Sequence, residues 1–228
     1  MSYENFKLYP MSYSKINLYR TCPNQWKAKY FSKEVEFKPT AATVWGTDVH
    51  AEAEQCIKEN REPTKRYEVI KPYLDSIRKF DAKSVTAEQE FAITKDLKPT
   101  GFWSEDAWLR GKLDVFVHQE TKGQILDWKT GKAKPSDFGE LRCFSLLTFC
   151  NHAEIEKTRN TYIWLKGDSK PTQEIINRDR IPELVDDLAA TIEKIEESVN
   201  FDKWPMKQSG LCASYCDVVS CPRNGRNK

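Results

Sequence analysis

Apolar positions recur along this chain with two different periods, and the change falls near residue 86. Before it the spacing is helical. Residues 12–31 (SYSKINLYRTCPNQWKAKYF) place Ile16, Leu18, Tyr19, Trp26 and Tyr30 on helical faces in two pieces. Ser12 or Ser14 suits the first N-cap, and Pro23 suits the first turn of the second piece. Val49, Ala53, Cys56 and Ile57 predict a helix over 47–58 with Thr47 or Asp48 near its start, and a shorter helix covers 67–80. From Thr86 onward the pattern is strand-like, with strands predicted at 88–94, 108–118, 124–129 and 158–166. The apolar stretch 141–151 reads as a helix. Ile181, Leu184, Val185, Leu188, Ile192, Ile195 and Val199 line one face of an amphipathic helix over 181–199. A cysteine-bearing tail follows Trp204-Pro205. Helices, a central sheet and further helices make an α/β fold, and 228 residues suit one domain with its own core.

The segment 111–132, GKLDVFVHQETKGQILDWKTGK, reads as a hairpin with a polar turn at Gln119–Lys122. A symmetric register sets His118 opposite Gly123 and, continued, Asp114 opposite Asp127. Opposed residues share a face of the sheet at about 4.5–5.5 Å between Cβ atoms. Lys129, two residues past Asp127, points the same way. Leu113, Val115, Val117, Leu126 and Trp128 fall on the other, core face. Two carboxylates this close repel, and a divalent cation offsets that cost. Mg²⁺ takes hard oxygen ligands, and phosphodiester hydrolysis uses such an ion to activate water and stabilise charge on phosphate. A ladder of Asp, Asp and Lys held by an ordinary salt bridge fits the same pattern.

Composition sets limits but does not choose between these readings. With 36 Lys and Arg against 34 Asp and Glu, the net charge of +2 does not by itself point to nucleic acid. Lys27, Lys29, Lys33 and Lys38 form a basic N-terminal stretch, while Glu193, Glu196 and Glu197 make the late helix acidic. Two solvated faces account for this as well as a binding surface does. No apolar run approaches the roughly 18 residues of a membrane span. The N-terminus MSYENFKLYP has no secretory pattern, so a cytoplasm is expected and disulfides are not. Of seven cysteines, Cys56, Cys143 and Cys150 sit in apolar surroundings, while Cys212, Cys216 and Cys221 are bunched and Cys22 stands alone. Soft thiolates suit zinc or an iron–sulfur cluster, and a [4Fe–4S] cluster takes four.

Asp127-Trp128-Lys129-Thr130-Gly131 resembles the D-x-K-T-G motif of RecB-like nucleases in the PD-(D/E)XK superfamily. Gly111-Lys112-Leu113-Asp114 resembles their G-x-x-D motif, and Gly46 to His50 their G-x-x-x-H helix. Ser12-Tyr13-Ser14 through Cys22-Pro23 is similar to their N-terminal signature. The resemblance runs in order from about residue 12 to residue 221. It implies a restriction-endonuclease-like core, a mixed sheet flanked by helices, with N-terminal helices and a C-terminal cysteine-rich tail. It further implies one nuclease domain over 1–228, with the core at 45–200 and a metal-cluster subregion at 12–31 plus 205–228. Asp114, Asp127 and the main-chain carbonyl of Trp128 would bind Mg²⁺ or Mn²⁺, with His50 a further ligand, and Lys129 would be the catalytic lysine. A single helical His is otherwise more often a packed or surface residue. Glu88 would be the acidic residue of the preceding strand, with Glu90 the competing choice.

The resemblance also implies a [4Fe–4S] cluster on Cys22, Cys212, Cys216 and Cys221, although three residues separate Cys212 from Cys216 where that branch usually has two. Another departure lies in the following helix. Ser145 and Phe149 stand where relatives carry a DNA-contacting Q-x-x-x-Y pair. The implied activity is a metal-dependent deoxyribonuclease, an exonuclease acting on DNA ends or single strands in recombination, repair or phage DNA processing. It would work in a prokaryotic or phage-infected cytoplasm, away from membranes, with room for a recombination or single-strand-binding protein as partner. No G-x-x-x-x-G-K-[ST] loop marks a helicase. A DNA-binding module of the same fold with reduced chemistry and a zinc-binding structural protein are the competing classes.

Overall fold

The structure, a computed structural model, describes residues 6–133, 137–167 and 169–227; the first five residues of the N-terminus read above lie outside them. In chain order the elements are α1 (Tyr13–Thr21), α2 (Pro23–Trp26), α3 (Ala41–Lys58), α4 (Lys71–Ile77), β1 (Val85–Ile93), β2 (Pro99–Thr100), β3 (Leu109–Gln119), β4 (Lys122–Lys129), α5 (Gly139–Asn151), β5 (Lys157–Trp164), β6 (Thr172–Asn177), α6 (Ile181–Phe201) and α7 (Leu211–Ser214). They fall into two compact units, one of residues 39–184 and one of residues 1–38 with 185–228.

The larger unit is built on a six-stranded mixed sheet in the order β2-β1-β3-β4-β5-β6. All neighbours are antiparallel except β4 and β5, whose parallel pairing requires the crossover that α5 provides. Val49, Ala53 and Cys56 of α3 and Leu74 and Ile77 of α4 pack with Val115, Val117, Trp128 and Ile163 on one face. α5 covers the other. A Cβ on Gly111 would come within 2.8 Å of Phe144 and Leu147, so only glycine lets β3 approach α5 this closely.

Several boundaries differ from the sequence reading. α3 begins at Ala41 rather than near Thr47. Thr40 and Thr43 cap each other's backbone N–H, and the first turn is exposed, so apolar periodicity carries no trace of it. The 67–80 helix divides into a 3₁₀ turn (Lys65–Ile70) and α4. β6 was not expected; it is an edge strand with Ile176 as its single buried residue.

In the smaller unit, Ser12 caps α1 and Pro23 opens α2, which runs on as a π-turn through Phe31. Trp26 is buried, stacks face to face on Trp204 at 5.4 Å and meets Tyr19 edge-on. The Tyr19 hydroxyl reaches Ser198 Oγ at 2.6 Å on α6, and Arg20 pairs with Asp187 at 3.0 Å. The tail contributes only a small core of Val218 and Cys221 against Ala28, with Val35 and Cys216 partly buried beside it. Among the described residues no helix is long and apolar enough to cross a membrane.

Candidate functional site

The β3–β4 ladder follows the predicted register from Gln119↔Lys122 through His118↔Gly123 to Val115↔Leu126, and there it stops. The next pair, Asp114 with Asp127, does not form. Asp114 Oδ2 instead accepts the backbone N–H of Trp128 at 2.8 Å. On the β1 side the ladder runs from Val85 to Ile93 but omits the Glu88–Asp114 pair, and Glu88 has φ +56°, a left-handed conformation that a glutamate seldom adopts.

This local break changes which way the acids face. Val115 and Ala87 lie on the α3–α4 side, while Gly111 and Phe91, each four residues away along its strand, lie on the α5 side. Regular alternation would keep each pair on one face, so both strands skip a step at Glu88 and Asp114. The expectation that Asp114, Asp127 and Lys129 share one face is therefore corrected: Asp114 turns toward α3, and Asp127 and Lys129 toward α5.

On the α3 side, ligand atoms of His50, Glu88 and Asp114 all lie within 4.8 Å of one another. His50 Nδ1 is 3.2 Å from Asp114 Oδ1, and Nε2 is 3.0 Å from the Trp128 carbonyl oxygen. Both ring nitrogens thus face oxygen acceptors, which a doubly protonated ring satisfies. Burial alone would lower the His50 pKa, but hydrogen bonding to Asp114 and the charges of Asp114 and Asp127 raise it to about 9. Glu88 pairs with Lys112 Nζ at 2.5 Å. Glu90, the competing acid, is exposed and outside this group. Gly46 lies one turn before His50, and a Cβ there would press to 3.3 Å of Thr130 Oγ1, so glycine lets α3 lie against the end of β4.

On the α5 side, Asp127 is 4% exposed. Burial pushes its pKa well above the ordinary value, Asp114 adds to the shift, and Lys129 opposes it. Lys129 Nζ lies 2.7 Å from Asp127 Oδ2 and forms an ion pair with that buried oxygen. The same ammonium bonds Glu140 Oε2 at 2.6 Å and sits 5.1 Å from the centre of the Tyr162 ring. Burial disfavours its charge, yet Asp127 and Glu140 more than offset this and raise its pKa. Sequence reasoning missed Glu140 and Tyr162. Glu140 lies in the first turn of α5, ten residues past Thr130, and Tyr162 is the parallel partner of Asp127 on β5. An acid opening the helix after the motif was the one available signal.

Ser145 and Phe149 do not reach this site. Both are buried, and Ser145 Oγ joins Thr158 Oγ1 (2.8 Å) and Asn160 Oδ1 (3.1 Å) in a network tying α5 to β5. Their departure from Q-x-x-x-Y is a matter of core packing, and Glu140 is the α5 side chain that meets the motif lysine.

The donors fit a hard divalent cation. Carboxylate oxygens of Glu88 and Asp114 lie with the His50 imidazole, and the Trp128 main-chain carbonyl stands beside the same ring. The motif order and this geometry agree with the match of residues 10–222 to the family described as the PD-(D/E)XK nuclease superfamily. The chain belongs to the PD-(D/E)XK nuclease superfamily. Two crystal structures share the PD-(D/E)XK chain's fold. A protein from Eubacterium rectale, described as a candidate exonuclease, has a TM-score of 0.54 at 13% identity, covering 95% of this chain and 92% of that one. The protein SSO0001 has a TM-score of 0.52 at 15% identity, covering 96% and 88%. No curated protein sequence matches this PD-(D/E)XK chain.

In the smaller unit, Cys22, Cys212, Cys216 and Cys221 line one small cavity of about 20 Å³. Burial raises the Cys216 pKa, and the three neighbouring thiols add to it. Asn224 braces the turn by donating to the Cys216 and Val218 carbonyls at 3.1 and 2.9 Å. Among the described residues, the triads whose ligand atoms lie within 4.8 Å contain none of these cysteines. Two thiolates on one zinc ion, at Zn–S of about 2.3 Å, stand at most about 4.6 Å apart. As they stand, no three of these sulfurs are spaced as a single zinc ion would hold them.

Proposed function

We propose that this nuclease-superfamily chain is a Mg²⁺- or Mn²⁺-dependent deoxyribonuclease acting as an exonuclease on DNA ends, in recombination, repair or phage DNA processing within a cytoplasm. The observation carrying this reading is the joint at the end of the β3–β4 ladder. There Trp128 gives its N–H to Asp114 and its carbonyl to His50, while Asp127 and Lys129 flank it on the opposite face. Glu88, Asp114, His50 and the Trp128 carbonyl would hold the cation on the α3 side, and Asp127, whose charge already acts on both Asp114 and His50, would complete the set by turning its carboxylate round the strand end. Bound there, a divalent ion supplies an activated water and charge stabilisation on the phosphate. Lys129, its charge secured by Asp127 and Glu140, orients the attacking water and offers a donor to the phosphate. Burial of Asp127 keeps that carboxylate out of bulk water. Incubation of end-labelled linear DNA and of closed circular DNA with Mg²⁺ or Mn²⁺, and with EDTA, tests the reading. Stepwise loss of nucleotides from linear DNA alone supports it. Intact linear DNA in both metals overturns it, and cutting of the circle overturns the exonuclease part.

His50 gives this reading a pH signature. Its folded pKa of about 9 exceeds the ordinary 6.5, so its protonation stabilises the metal-free fold. That contribution is complete below about 6.5 and is lost as pH rises through about 9. A cation taking the same oxygens must displace the proton. Binding near neutral pH is expected to release about one proton per ion and to tighten as pH rises. Calorimetry in buffers of different ionisation enthalpy measures the release, and heats independent of buffer would rule it out.

We also propose that Cys22, Cys212, Cys216 and Cys221 hold a [4Fe–4S] cluster with a structural role. What supports it is that all four line one cavity in a unit whose tail has little apolar core of its own.

A further inference from the structure

The nuclease reading uses one of the three histidines in the chain. The other two meet each other. His118, near the end of β3, and His152, which caps the C-terminus of α5, have ring centres 4.8 Å apart. Both rings converge on the same oxygen: Glu154 Oε1 is 3.1 Å from His118 Nε2 and 3.0 Å from His152 Nδ1. The three ligand atoms lie within 4.8 Å of one another, and His118 Nε2 also stands 3.1 Å from the Glu120 carbonyl oxygen.

We propose that His118, His152 and Glu154 form a second metal site, taking Zn²⁺ through His118 Nε2, His152 Nδ1 and a Glu154 carboxylate oxygen. Two imidazoles, one carboxylate and a water make a common zinc ligand set. Donors about 2.1 Å from one tetrahedral ion stand about 3.4 Å apart. The nitrogen–oxygen separations here differ from that by only a few tenths of an ångström. Two borderline nitrogen donors also favour zinc over Mg²⁺, which prefers oxygen.

The surroundings hold these groups in place. Phe116 lies alongside both imidazoles, and Phe91 meets His152 edge-on at 5.4 Å. Arg178 fixes the backbone that carries His152 and Glu154. It donates to the carbonyl of Phe149 at 2.8 Å, to that of Ile155 at 2.7 Å, and to that of His152. The site is remote from the nuclease centre, since four residues of β3, roughly 13 Å of strand, separate His118 from Asp114. A bound ion would clip the end of the β3–β4 hairpin to the α5–β5 connection.

Metal binding also changes which ring nitrogen carries the proton. Facing a carboxylate, a neutral His118 carries it on Nε2 and a neutral His152 on Nδ1; facing zinc, each must present that nitrogen's lone pair and hold the proton on the other. The test titrates Zn²⁺, in excess Mg²⁺, into the full chain and into its His118→Gln, His152→Gln and Glu154→Gln variants, and records imidazole ¹⁵N spectra of the unmutated protein. The cysteines and the nuclease centre are common to all four proteins, so their zinc cancels in the comparison. The expected result is about one equivalent fewer in each histidine variant, weaker uptake in Glu154→Gln, and reversed tautomers at His118 and His152. Equal uptake in all four proteins, or unmoved His118 and His152 signals in excess zinc, overturns the site. The spectra need no variant to fold. Cleavage of DNA in Mg²⁺ is expected to be unchanged in all three variants, so the result stands apart from the nuclease reading.

Discussion

Lys129→Ala protein is expected to lose cleavage by a factor on the order of 10²–10⁴ and to lose stability with it. The rate falls because the ammonium that Asp127 and Glu140 hold in place is gone. From the sequence, Lys129 lies on a polar face near a strand end, and its removal costs no core contact. The structure changes that expectation, because its partner Asp127 is almost wholly buried. Without the lysine, that carboxyl keeps only the influences that raise its pKa, namely burial and the charges of Asp114 and Glu140. It takes up a proton, which limits the loss to about 1–3 kcal/mol. A carboxyl with a raised folded pKa costs more stability as pH rises through that pKa, so the variant should become less stable toward alkaline pH. Thermal melts across pH, with and without Ca²⁺, check this. The divalent ion is expected to restore more stability to the variant than to the unmutated protein. Near-normal cleavage in Lys129→Ala, in Mg²⁺ and in Mn²⁺, would remove Lys129 from the mechanism.

The second large effect concerns the cysteine cavity. Anaerobically purified protein is expected to be brown with about four irons per chain, and Cys216→Ala to be colourless. A cluster joining Cys22 to the tail closes a loop of nearly the whole chain. By the chain-entropy estimate for a cross-link of that span, it contributes about 5 kcal/mol. The loss should concentrate in the unit that holds all four cysteines. Hydrogen exchange should show α1, α2 and the tail opening in Cys216→Ala while the six-stranded sheet stays protected. Colourless anaerobic protein without iron would reject the cluster, and one zinc per chain in its place would make the site a zinc site.

The reach of the sequence reading can be followed along β3 and β4. The symmetric turn places five ladder pairs correctly, from Gln119↔Lys122 to Val115↔Leu126, because side-chain alternation and turn length fix register together. It fails one residue later, at Asp114. The break coincides with a left-handed Glu88 on the neighbouring strand and with the Asp114 carboxylate taking the Trp128 N–H, and neither residue type gives a hint of it in the sequence. The first turn of α3 escaped notice because its residues are exposed, and β6 because it is a mostly polar edge strand. Glu140 was missed for another reason. Its partnership with Lys129 depends on where the crossover helix starts relative to the end of β4, which no local pattern encodes.

The left-handed backbone at Glu88 has a consequence for any attempt to improve this protein by selection. A non-glycine residue held there costs about 1–2 kcal/mol, part of which glycine or asparagine at the same position recovers. Either substitution is therefore expected to hold the fold at least as well as glutamate does, while removing a carboxylate from the group around His50 and Asp114. A library screened for heat resistance alone would drift toward Glu88→Gly and Glu88→Asn and yield sturdier protein without the proposed nuclease activity. A melting point that falls in both variants would show that the turn at Glu88 carries no such tension.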